Sequence, residues 1–173
     1  MSLASLHPMP SAGFDEPFEM LGACHERVQR TLNLLQRLAD HLPTHGADES
    51  ARQAARDVMR YFDIAGPAHH EDEERHVFPA LLALREPALS ARVTRLQAEH
   101  RQMASDWAAL RLELQRIADA GDPTPPRWKP FAARYRAHIA AEESLAYPAV
   151  RRALDGAAQA AMGREMAQRR GVR

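Results

Sequence analysis

Two stretches, His69-His-Glu-Asp-Glu73-Glu74-Arg-His-Val-Phe78-Pro79 and His138-Ile-Ala-Ala-Glu142-Glu143-Ser-Leu-Ala-Tyr147-Pro148, align without a gap. Each reads His, then Glu four residues on, a second Glu, then an aromatic residue and proline. Residues four apart lie on one face of an α-helix, one turn above the other. Each stretch therefore aims an imidazole and a carboxylate the same way. Nitrogen and oxygen donors converging from two such helices suit a first-row transition metal, iron first among them.

Upstream of each stretch lies a segment with three-four apolar spacing and one histidine in its seam. The first reads Phe18, Leu21, His25, Val28, Leu32, Leu35, Ala39, Leu42; the second reads Val93, Leu96, His100, Met103, Trp107, Leu110, Leu114, Ile117. Ala, Leu, Arg, Glu and Gln dominate and nothing alternates with the period of a strand, so the chain is all-α. Four long helices are expected. The first runs from Pro17 to a stop at Pro43 and Gly46. The second runs from an Asp48 cap to about Leu84, with a kink or short break at Gly66-Pro67. The third runs from Glu86-Pro87 to Gly121. The fourth runs from about Arg127 to Leu154, with Phe131, Tyr135, His138, Glu142 and Leu145 inward.

Short connections favour antiparallel neighbours, hence an up-down-up-down four-helix bundle over residues 17–154. Residues 1–16 read as a flexible arm. Residues 155–173 read as a short, weakly docked C-terminal helix or tail. Each half is a helical hairpin with one seam histidine followed by one His-x-x-x-Glu pair, which implies pseudo-twofold symmetry. Pro79 and Pro148 sit inside helices, below the Glu residues, and should bend both helices around the site.

The chain has 173 residues, enough for one domain with a real core. Lys+Arg and Asp+Glu both number 23, so the net charge is zero, which argues against nucleic acid or an anionic membrane as partner. A local basic patch from Arg164 to Arg173 stays open. The single cysteine, Cys24, allows no internal disulfide and fits a reducing compartment. With no leader or apolar span in the first residues, the expected location is the cytoplasm. Gly-rich phosphate loops, zinc-type Cys pairs and a Ser-His-Asp arrangement are all missing from the sequence.

Any one of these histidines alone is unremarkable, since a buried imidazole can be satisfied by an ordinary hydrogen bond. The joint pattern is what counts. All four helices carry one His on the expected inner face, and two repeat a Glu at identical spacing. Burying two carboxylates without partners is very costly, and divalent cations offset that cost. The candidate metal ligands are His25, His69, Glu73, His100, His138 and Glu142. Glu74 and Glu143, about 100° further round their helices, should support the ligands or face solvent. His70 should be exposed. His76, seven residues after His69, should be a core or supporting group.

On these residues the sequence resembles the hemerythrin-like, or HHE cation-binding, domain over about residues 17–154. The resemblance implies a bundle around a non-heme di-iron centre. His25, His69, His100 and His138 would be terminal ligands, and Glu73 and Glu142 would bridge the irons. The oxygen-carrying hemerythrins have a second histidine one turn from the third-helix ligand. Here Leu96 and Ala104 flank His100 and cannot bind metal. The pattern is closer to bacterial members with one third-helix histidine, some associated with nitric oxide or peroxide stress. Four protein donors per iron leave two octahedral positions each. One suits a shared oxo or hydroxo bridge, and the other suits O2, NO, peroxide or azide.

Three functions follow. The leading one is a di-iron protein that binds a small ligand (O2, NO or peroxide) as sensor, carrier or scavenger. The second is an enzyme turning over peroxide or nitric oxide at the same site, with Tyr135, Tyr147 and Cys24 as redox candidates. The third is a metal-free helical interaction module.

Overall fold

The computed structural model describes residues 13–172, and every regular element among them is helical. Of the arm expected over residues 1–16, positions 1–12 lie outside the described residues. Helix α1 is Pro17–His45, with Pro17 in the first turn, where its missing N–H costs no hydrogen bond. Gly46 ends it in the left-handed region, φ 68°. Helix α2 covers residues 49–83 in three parts: Glu49–Asp72, a π-helical turn Glu73–Val77, and Phe78–Ala83. The Asp48 carboxylate caps it, accepting from the Ala51 N–H at 2.8 Å. Helix α3 covers residues 87–120 and closes on Gly121 at φ 71°. Helix α4 covers residues 129–153 as Lys129–Ala141, a second π-helical turn Glu142–Ala146, and Tyr147–Ala153. Helix α5 is Gly156–Arg169, capped by Asp155.

The first four helices form the antiparallel bundle, and α5 lies against α1 and α2. The seam residues of α1 and α3 named above are buried, except Trp107, which is half-buried with its indole N–H donating to Asp63. Buried apolar side chains form two separate clusters. One contains Leu35, Val58, Phe62, Met103, Leu114 and Phe131; the other contains Leu21, Phe78, Leu96, Tyr147, Met162 and Met166. The histidines and carboxylates belong to neither. No helix among the described residues is long and apolar enough to cross a membrane.

The structure departs from the sequence expectation where helices bend. Helix α2 continues through Gly66-Pro67 without a break. The distortions come later, as π-helical turns at Glu73–Val77 and Glu142–Ala146, with a further one, Arg116–Ala120, closing α3. The turns in α2 and α4 are each followed by the residue before a proline, and that residue's N–H reaches five residues back: Phe78 to the Glu73 carbonyl, Tyr147 to the Glu142 carbonyl. Pro79 and Pro148 lack the N–H that an unbroken α-helix would need next. A π turn takes in one extra residue, which rotates everything after it by about 100° relative to a straight helix. Leu145, expected inward, is therefore 38% exposed, and Ala146 is fully buried in its place. His76, at the equivalent position of α2, is turned away from the core and meets Glu165 of α5 at 2.6 Å.

The weak docking expected of the C-terminal segment is also corrected. Met162 and Met166 are buried. Gly163 lets the chain at Phe14 cross α5 directly: a Cβ there would fall 1.8 Å from the Phe14 carbonyl oxygen, which no side chain tolerates. Asp72, fully buried, receives the guanidinium groups of both Arg169 and Arg170, the latter at 2.6 Å. Two arginines of the expected basic patch are thus spent on an internal ion cluster.

Candidate metal centre

All six candidate ligands lie at mid-bundle with exposures between 0 and 4%. α1 supplies His25, α2 supplies His69 and Glu73, α3 supplies His100, and α4 supplies His138 and Glu142. The ring Nε2 atoms point inward. His25 Nε2 is 3.2 Å from a Glu142 oxygen, and His69 Nε2 is 3.3 Å from a Glu73 oxygen. His138 Nε2 lies 2.9 Å from Glu142, and His100 Nε2 lies 3.4 Å from Glu73. His100 and His138 bring their Nε2 atoms within 3.0 Å of each other.

Three of the four rings are held from behind. His25 Nδ1–H donates to Glu143 at 2.9 Å, His100 Nδ1–H to Glu74 at 2.9 Å, and His138 Nδ1–H to Glu99 at 2.8 Å. A carboxylate on Nδ1 fixes the tautomer, leaves the Nε2 lone pair facing the centre and raises its donor strength. Neither nitrogen of His69 has a hydrogen-bond partner. The Tyr147 hydroxyl donates to Glu73 and sits 3.1 Å from His25 Nε2.

The electrostatics are those of a crowded, dry site. Burial pushes His69 down to about 4, so it is a neutral imidazole at neutral pH. Burial also lowers His25 and His100, but the facing carboxylates, Glu142 for the first and Glu73 for the second, outweigh it and raise both. The two carboxyls split. Burial and the Glu73 charge drive Glu142 well above the usual carboxylate range. Glu73 is held well below it by His69 and His100 despite burial. Like charges this close do not both ionise unaided, so the pair shares a proton. Burial raises Tyr147 as well and keeps it a neutral donor, and it lifts Cys24 to about 11.

The donor set fits a pair of cations. Glu73 Oε2 and both Glu142 oxygens are buried without a hydrogen-bond partner, an expensive state that positive charge at the centre would relieve. Two groups of four donors, each within 4.8 Å of one another, share Glu73: His25, His69, Glu73 and Glu142; and His70, Glu73, His100 and His138. Imidazole with carboxylate, and no thiolate, suits iron, manganese or zinc rather than a soft-metal site.

Sequence reasoning missed three participants. His70, expected exposed, is half-buried and stacked on His100 with centroids 3.9 Å apart. Glu99 was not singled out, although it directly precedes His100. Asp72, next to Glu73, has its partners a hundred residues away, and nothing local marks it.

A family model described as the hemerythrin HHE cation binding domain matches residues 16–150. An uncharacterized protein of Haemophilus influenzae is 32% identical over 170 residues, which is 97% of this chain and 98% of that protein.

Proposed function

Because the chain belongs to the hemerythrin HHE cation-binding family, we propose that it is a non-heme di-iron protein that takes a small ligand such as O2, NO or peroxide. The observation that carries this reading is the pair of four-donor groups that share Glu73, with Glu73 Oε2 and both Glu142 oxygens buried and without partners. In it His25 and His69 would hold one iron and His100 and His138 the other, with Glu73 and Glu142 supplying carboxylate oxygens between them.

Two irons in this setting would supply reversible redox chemistry and Lewis acidity toward a ligand with lone pairs. The chain's own residues do the rest. Glu74, Glu99 and Glu143 hold three imidazoles in the ligating tautomer. Phe78, almost free of solvent, stacks on His100 with ring centroids 5.3 Å apart and shields that side of the centre from water. The Tyr147 O–H, already aimed at Glu73, is a hydrogen-bond donor at the centre for a partner that carries a lone pair. A site so enclosed favours diatomic ligands and peroxide over metabolites. The neutral net charge and the lone, half-buried Cys24 fit a cytoplasmic protein without a nucleic-acid or membrane partner.

Tyr147 also favours a second reading, turnover of peroxide or nitric oxide, since its hydroxyl is a hydrogen-bond donor at the centre that can orient a reacting ligand. Peroxide consumption that falls in Tyr147→Phe, with iron content unchanged, supports turnover. The principal test is metal analysis of protein made with iron in excess. About two irons per chain, with an absorption band that shifts on adding azide, supports the di-iron reading. Iron far below that level overturns it.

A further inference from the structure

The pseudo-twofold that relates the two hairpins breaks at three positions around the centre. Helix α2 has His70 where α4 has Ile139. Helix α3 has Glu99 where α1 has Cys24. Helix α4 has Tyr147 where α2 has Phe78. Two of these differences strengthen the same half. His70 and Glu99 both serve the His100/His138 side, while His69 has no acceptor for its Nδ1 on the opposite side.

His70 is placed as a donor rather than as a surface group. Its ring stacks parallel to His100, interplanar angle 10°, and also stacks on Tyr135. Its Nε2 is sealed from solvent and has no hydrogen-bond partner. One of its ring nitrogens falls within 4.8 Å of donor atoms of Glu73, His100 and His138. A cleft of 380 Å³ between α2, α3 and α4 ends on His70 and His100, with Pro67, Ala104, Trp107 and Tyr135 among its walls. An imidazole beside an open cleft could satisfy both nitrogens with water. This one keeps Nε2 turned inward and empty-handed.

We propose that His70 is a fifth protein donor to the cation held by His100 and His138, which makes the two metal positions unequal. The His100/His138 position has three imidazoles, two of them backed by carboxylates. The His25/His69 position has two imidazoles, one backed. The second position therefore releases its ion first. This rests on the two-cation reading above. Carboxylates behind ligating histidines are worth about 10–100-fold in metal affinity, so the two positions differ by about tenfold or more.

The test uses the full chain loaded anaerobically with iron(II) enriched in the Mössbauer isotope, then titrated with a competing chelator. The wild-type chain should release its irons in two steps, about tenfold or more apart in chelator, and show two distinct quadrupole doublets of equal area. His70→Ile copies Ile139 and should move the firmer step toward the weaker one and bring the doublets together. The converse change, Ile139→His, should tighten the weaker step, and it keeps the proposal open to refutation if His70→Ile folds poorly. A chain that takes up fewer than two irons overturns the two-cation reading, and this inference with it. A chain that takes two, yet keeps the same steps and doublets in both variants, overturns this inference alone.

Discussion

Asp72→Asn tests how α5 is bound to the bundle. The substitution keeps shape and one acceptor but deletes the charge that Arg169 and Arg170 converge on. Asp72 is fully buried, and its two arginine side chains keep 17 and 24% exposure. Breaking a fully buried ion pair by removing one partner costs about 3–5 kcal/mol. Water reaches these guanidinium groups in part, so about 2–3 kcal/mol is the expected loss. For a chain of this size, each kcal/mol is worth about 2–4 °C, which gives a drop in Tm of about 5–10 °C. The assay is thermal melting of chelator-treated protein followed by circular dichroism. The control is Arg151→Gln, which breaks an ion pair with Glu19 in which both side chains are about half exposed, and should cost at most about 1 kcal/mol. Equal, small shifts in the two variants would refute the reasoning, because Asp72 would then be no better placed than a surface charge.

Other outcomes follow from the centre and the tail. Glu99→Gln should weaken iron(II) binding about 10–100-fold in chelator competition, while the melting of the metal-free chain stays close to wild type. Glu142 carries the shared proton when no cation is present. Glu142→Gln should therefore change metal-free stability by less than about 1 kcal/mol, yet abolish the rise in Tm that metal produces, as differential scanning calorimetry would report. Glu165 is held below the usual carboxylate range by His76 and Arg169 despite some burial. A depressed carboxyl contributes its full stabilisation above the unfolded value of 4.5, and loses it as pH falls through the folded value. The α5 amides should thus lose hydrogen-exchange protection in acid before those of α2 or α3; simultaneous loss would show that the clasp adds nothing.

The bundle was legible because its periodicity is local. Pro17, Asp48 and Gly121 mark helix ends by chemistry that needs no partner, and the seams of α1 and, as far as Gln115, of α3 keep one register. The convergence of His25, His69, Glu73, His100, His138 and Glu142 follows from that register. Leu145 and His76 were misplaced for a common reason. Straight-helix counting assumes 3.6 residues per turn, and one wider turn upstream puts every later residue on the wrong face. His70 was misplaced because a helix face is wider than one residue when three other helices close around it. Asp72, Arg169 and Arg170 could not be paired at all, since a contact between α2 and α5 leaves no trace in the spacing of either.

The polar centre also divides the oily interior into two lobes, one built on Phe62 and Leu114 and the other on Phe78 and Met166. Between them stand imidazoles and carboxylates, several of them without partners. A cation bound there would be a rivet as much as a reagent. It would tie the lobes together, and without it the lobe roofed by α5 is the smaller and has the less oil to hold itself shut.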